Sequence, residues 1–132
     1  MLDYDPKILM AFGETFEGNE KIYNWLLKNG YPELAALSSA IRGSEEAFNW
    51  LLKNKFPQLA ALDGAIDNNA KSVGWLQKHK MDFLLIFAEA CNNKAEAIGW
   101  LASNNLQIFI HLAGKIRKFR DNQTYDYHKL HF

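Results

Sequence analysis

Residues 20–42, EKIYNWLLKNGYPELAALSSAIR, and residues 45–67, EEAFNWLLKNKFPQLAALDGAID, are identical at 14 of 23 positions under a shift of 25. The same shift sets tryptophans at Trp25, Trp50, Trp75 and Trp100. A period in the range of roughly 20 to 50 residues is the signature of a repeat architecture, and it constrains this chain more than any local propensity does. It implies a scaffold whose partner is chosen by a few surface side chains, so the biological role is not written in the repeat itself.

Aligned on the tryptophans, one set of columns reads Ile22, Ala47, Ser72, Ala97, then Tyr23, Phe48, Val73, Ile98, then Leu26, Leu51, Leu76, Leu101. Apolar residues at 22, 23, 25, 26 and 27 cluster on one side of a helix, so the tryptophan segment reads as an amphipathic helix, B, of about ten residues. A second set reads Leu34, Leu59, Leu84, Phe109, then Leu37, Leu62, Phe87, Leu112, then Ile41, Ile66, Cys91, Ile116. Spacing of three and then four residues is again one helical face, giving a second helix, A, per repeat. Pro32 and Pro57 open it at the first helical position, where a missing N–H costs nothing, and it ends near Arg42 and Asp67. The pairs Gly18-Asn19, Gly43-Ser44, Asn68-Asn69 and Asn92-Asn93 supply left-handed C-caps or N-caps, which makes the connections tight.

Residues 5–17 fit a helix A without a preceding B: Asp5 caps, Pro6 opens, and Leu9, Phe12 and Phe16 form the face. The expected fold is all-α, a right-handed solenoid of about four 25-residue helix-turn-helix repeats preceded by a half repeat, about nine helices in one domain over residues 1–120. Residues 121–132 form a C-terminal tail. Neither helix of a pair can bury its face alone, so stacking of neighbours creates the core. On this reading the ladder Trp25, Trp50, Trp75, Trp100 is core, and Gly74 and Gly99 mark closer backbone packing in the later repeats.

At these positions the chain resembles the helix-turn-helix part of ankyrin repeats. Gly18, Ile22, Tyr23, Trp25, Leu26, Leu27 and Gly30 fall on that pattern, as do Gly43, Glu46, Ala47, Phe48, Trp50, Leu51 and Leu52, and Ala40 stands where the family's first helix has alanine. Ankyrin repeats run to about 33 residues. This chain lacks their Thr-Pro-Leu-His opening and the residues of their projecting β-hairpin finger. The resemblance implies an ankyrin-like array without the finger, and a protein-binding role.

Composition excludes several classes. Fifteen basic residues balance fifteen acidic ones in 132 residues. No global field draws the chain to nucleic acid or to an anionic membrane. The lone Cys91 forms no internal disulfide, the start MLDYDPK does not read as a signal peptide, and no apolar run approaches the ~20 residues of a membrane span, which points to the cytoplasm.

Function in an array lies where equivalent positions diverge. Glu33 and Gln58 become Phe83 and Ile108, while Ala35-Ala36 and Ala60-Ala61 become Leu85-Ile86 and Ile110-His111. Phe83, Leu85, Ile86, Ile108 and Ile110 therefore form a candidate interface, covered first by Tyr125, Tyr127, Leu130 and Phe132 of the tail, next by a second copy in a homodimer, and last by a hydrophobic small molecule. The second divergence is Lys115, Arg117, Lys118 and Arg120 around Ile116 and Phe119, a candidate anion site for nucleic acid. Against that, cations in a last turn also complement the helix dipole. The expected display surface is the row Ser39, Gly64, Glu89 or the row Arg42, Asp67, Asn92.

Catalytic and metal constellations are weak. His128-x-x-His131 lacks further ligands at a recognised spacing from Asp126 or Cys91, His111 reads as a core histidine, and the serines have no evident base. The expectation is a non-catalytic protein-protein interaction scaffold without cofactor, metal or membrane partner. The alternatives are nucleic-acid binding through residues 115–120 and a ligand-binding domain near Phe83, Phe87 and His111.

Overall fold

The computed structural model describes the backbone of residues 1–130 and the side chains of residues 1–123. Among these the fold is all-α. The helices are α1 (Pro6–Glu14), α2 (Glu20–Lys28), α3 (Pro32–Ile41), α4 (Glu45–Lys53), α5 (Pro57–Ile66), α6 (Ala70–Lys78), α7 (Asp82–Cys91), α8 (Ala95–Ser103) and α9 (Gln107–Leu130), with a 3₁₀ turn at Thr15–Glu17 after α1.

Local chemistry sets the boundaries. Pro6, Pro32 and Pro57 each stand at the first helical position, and Asp5 accepts a hydrogen bond from the Lys7 amide at 2.8 Å. Ahead of α2, α4 and α6 a left-handed residue, Gly18, Gly43 or Asn68, precedes an N-cap, Asn19, Ser44 or Asn69, whose side chain accepts from the third amide onward. The fourth connection sits one residue later than the Asn92-Asn93 pair suggested. There Asn93 takes the left-handed position and Lys94 is the cap residue, with no side-chain bond to the helix. The B-to-A connections close in the same manner. Tyr31, Phe56, Met81 and Leu106 donate backbone N–H bonds of 2.8–2.9 Å to Leu26, Leu51, Leu76 and Leu101. This six-to-one bond, with an apolar residue just past the left-handed position, is a Schellman cap.

The A columns are core as expected: Phe12, Leu37, Leu62, Phe87 and Leu112 are fully buried, as are most of their neighbours one turn away. In the B helices the column buried in every repeat is that of the leucines, Leu26, Leu51, Leu76 and Leu101, each 0 % exposed. The tryptophan ladder is not core. Trp25 is 44 % and Trp100 41 % exposed, and Trp50 and Trp75 are half-buried. The reason lies in how the layers meet. B helices rest on A helices rather than on one another, so only a narrow stripe is covered, and side chains one residue apart point about 100° apart. Gly74 and Gly99 lie in open space on the exposed side and mark no close packing.

The inner helices α1, α3, α5, α7 and α9 pack in succession, and α9 then returns to pack on α1 and its 3₁₀ turn. One side of α9 is thus covered by the other end of the chain. Gly13 lets the two ends approach: a Cβ there would stand 2.8 Å from Leu112 Cδ2. Phe16 meets Phe119 at 6.1 Å between centroids. Lys115 then bridges Glu14 at 2.9 Å and Glu17 at 3.2 Å. The backbone of α9 runs unbroken past residue 120. What Tyr125, Tyr127, Leu130 and Phe132 touch lies outside the described residues.

Candidate binding site

The structure commits most of the residues singled out by sequence to internal work. Phe83, Leu85, Ile86, Ile108 and Ile110 are half-buried and packed against the core. Phe83 stacks near Phe87 and meets Phe109 edge-on at 4.8 Å, with Phe87 to Phe109 at 5.7 Å. These rings fill one another's space, and His111 is exposed on α9 rather than buried beside them.

The four cations of α9 do not form one cluster of available charges. Lys115 is held by Glu14 and Glu17. Burial works against its charge, but the two carboxylates outweigh that and hold its pKa above the ordinary value. The reciprocal hydrogen bond from Lys115 holds Glu14 below the carboxylate range. Arg117 donates to the Ala90 carbonyl at 2.8 Å, and Arg120 donates to the Ile66 carbonyl at 2.8 Å and to Asp67 Oδ1 at 2.8 Å. Both guanidiniums therefore close the C-termini of neighbouring helices, α7 and α5, where the dipole favours a cation. Lys118 alone of the four is exposed.

The expected display rows are also largely used. Ser39 shares a hydrogen bond with Tyr23 at 2.8 Å, Arg42 lies over the Tyr23 ring, and Asn92 donates to the Ile66 and Ala88 carbonyls. Gly64 faces Ser72 so closely that an added Cβ would stand 2.7 Å from its Cβ. Asp67 is paired with Arg120 though exposed, and Glu89 is the other row member open to solvent. Burial raises the Cys91 thiol to about 12, against the nearby Arg120 and Arg117, so it is a packing group and not a nucleophile. Among the described residues no cluster of histidine, cysteine and carboxylates is arranged to hold a metal. His128 and His131 lie outside the described side chains.

The surface that remains is the outside of the B helices. Trp25, Leu27, Leu52 and Trp100 are the large apolar side chains exposed there. A groove of about 660 Å³ opens beside α2 and α4, lined by Leu27, Ala36, Ala47, Trp50 and Tyr23, with Lys53 and Glu46 also in its wall. A smaller one, about 530 Å³, is walled by Ile8, Ala11, Ile22, Trp25 and Tyr31. The tryptophans hold fixed orientations there. Trp25 stacks at 14° to Tyr31, Trp50 at 8° to Phe56, and Trp75 at 21° to His79 with centroids 3.9 Å apart. In three repeats an asparagine, Asn29, Asn54 or Asn104, donates to the tryptophan carbonyl at 2.8 Å. Sequence reasoning missed this face because it assigned the tryptophans to the core. The usable signal was the column Leu27, Leu52, Gln77, Ala102, which tolerates glutamine and so cannot be buried throughout.

No protein-family model, no curated protein and no solved structure matches this chain. Among the described residues, no helix is long and apolar enough to cross a membrane.

Proposed function

We propose that the chain is an ankyrin-like array of helical hairpins without the finger, a non-catalytic scaffold that binds a protein partner on the outer face of its B helices. One observation carries this reading: among the described residues, four of the five large apolar side chains left in water on the helices, Trp25, Leu27, Leu52 and Trp100, sit on that outer layer, where Leu27 and Trp25 each line a preformed groove, whereas the inner rows are largely partnered internally. Rigid aromatic walls beside a groove suit anchor side chains of a partner, because their ordering cost is already met. A single buried thiol suits the reducing cytoplasm.

The test is affinity capture from a nuclease-treated lysate, with wild type beside the double variant Leu27→Gln/Leu52→Gln. Glutamine is what the third repeat carries in that column, so the fold is kept. A protein held by wild type and released by the variant supports the proposal. A partner held equally by both places the binding surface elsewhere and overturns it.

A further inference from the structure

One edge of the molecule carries a row of lysines. At the turns from α2 to α3, α4 to α5 and α6 to α7 stand Lys28, Lys53, Lys55, Lys78 and Lys80, all exposed. Among the described residues none of them is within ion-pair distance of a carboxylate. The carboxylates in those turns are Asp82, which is exposed, and Glu33, which is buried and accepts a hydrogen bond from Tyr4 at 3.0 Å. Because α3, α5 and α7 pack in succession, the three turns lie along one edge. The tryptophan stacks on Tyr31, Phe56 and His79 sit at the same turns, and Lys53 is shared with the α2/α4 groove.

Lysines 28, 53 and 78 complement the C-terminal ends of their helices and would need no other explanation. Lys55 and Lys80 are different. They occupy the left-handed position just past the helix, at φ 70° and 55°, where the first repeat has Gly30 and the last has Asn105. A lysine in that conformation is disfavoured relative to glycine, so two successive repeats keep a charge at the expense of local stability. Resting on the scaffold reading above, we infer that the partner segment is acidic, its apolar side chains seated in the α2/α4 groove and its carboxylates along the row Lys28, Lys53, Lys55, Lys78, Lys80. A nucleic acid fits the row less well, since Trp75 is already stacked on His79 with centroids 3.9 Å apart and the α2/α4 groove carries the carboxylate of Glu46 in its wall.

The test is fluorescence anisotropy of a short fluorescein-labelled peptide in which glutamates flank a leucine and a phenylalanine, titrated with the full chain at low salt. Wild type should bind, and Lys55→Glu/Lys80→Glu should weaken binding about tenfold. Lys55→Gly/Lys80→Gly should also weaken it while raising the unfolding midpoint, which separates recognition from folding. Peptide binding lost in Leu27→Gln/Leu52→Gln but unchanged in both lysine variants would overturn the inference and leave the scaffold reading standing. No binding by wild type, tighter binding of an oligothymidylate of equal charge, or salt-sensitive self-association of the chain would each overturn it.

Discussion

Replacing Leu51 and Trp100 separately by alanine distinguishes the two columns of the B helices. Leu51 is 0 % exposed. Leu51→Ala removes about three buried carbon groups, roughly 2.4 kcal/mol of transfer free energy. The walls around it belong to α4 and to the inner helices, which cannot collapse together, so a cavity term raises the cost to about 3 to 4 kcal/mol. Trp100 is larger, yet 41 % of it is already in water, and its repeat has Leu106 where the first two place the rings of Tyr31 and Phe56. Roughly 150 Å² of a roughly 250 Å² side chain is then covered, a ceiling of about 3.7 kcal/mol at ~25 cal/mol per Å². Alanine keeps its own Cβ contacts, the unfolded chain hides part of the ring, and a notch at the surface refills with water. The expected cost of Trp100→Ala is therefore about 1 to 2 kcal/mol. Urea unfolding followed by far-UV circular dichroism, with a common slope across the variants, measures both. A Trp100→Ala cost equal to or above that of Leu51→Ala would refute this account of the layers.

Lys94→Ser gives α8 the side-chain cap that Asn19, Ser44 and Asn69 give the other B helices, and should stabilise by about 0.5 to 1 kcal/mol in the same assay. Burial, then the neighbouring Asp67, raise Asp63 to about 6, with Arg120 opposing. An acid whose folded pKa lies above its unfolded value stabilises at low pH and loses that contribution as pH rises through the folded value. Wild type should thus lose about 1 to 3 kcal/mol relative to Asp63→Asn between pH 4 and pH 7.5; parallel stability curves for the two proteins would refute the assignment. Lys115→Gln removes the cation that joins α9 to Glu14 and Glu17, and should cost about 1 kcal/mol at low salt. Thermal melts at rising ionic strength should show that difference shrinking, and a constant difference would assign the loss to packing.

Helix boundaries were legible because capping is local: proline at a first position, or a left-handed residue followed by an asparagine or serine, acts within one turn. The A columns were legible for a related reason. Those helices have neighbours on most sides, so the whole apolar face is covered and any reading of it as core succeeds. The B helices defeated the same reasoning. Trp25, Leu26 and Leu27 are adjacent and all apolar, and helical periodicity alone does not say which of them centres the buried stripe. The repeat led the tryptophans to be chosen by size, whereas the layer geometry selects the leucines. The residues now placed in the candidate groove were therefore visible as letters but assigned to the wrong side.

By itself the sequence determined the period, the number of helices, most of their starts, and the inner columns, since each follows from interactions within one turn or one repeat. Tertiary structure alone decided that α9 packs back on α1, that Arg117 and Arg120 close the ends of α7 and α5, and that Trp25 and Trp100 are exposed while Trp50 and Trp75 are half-buried. Those outcomes depend on groups far apart in the chain: Lys115 and Glu14 are separated by 101 positions, Arg120 and Ile66 by 54. No local pattern encodes such a meeting, because the angle at which each hairpin sits on the next accumulates over the whole chain before its two ends can touch.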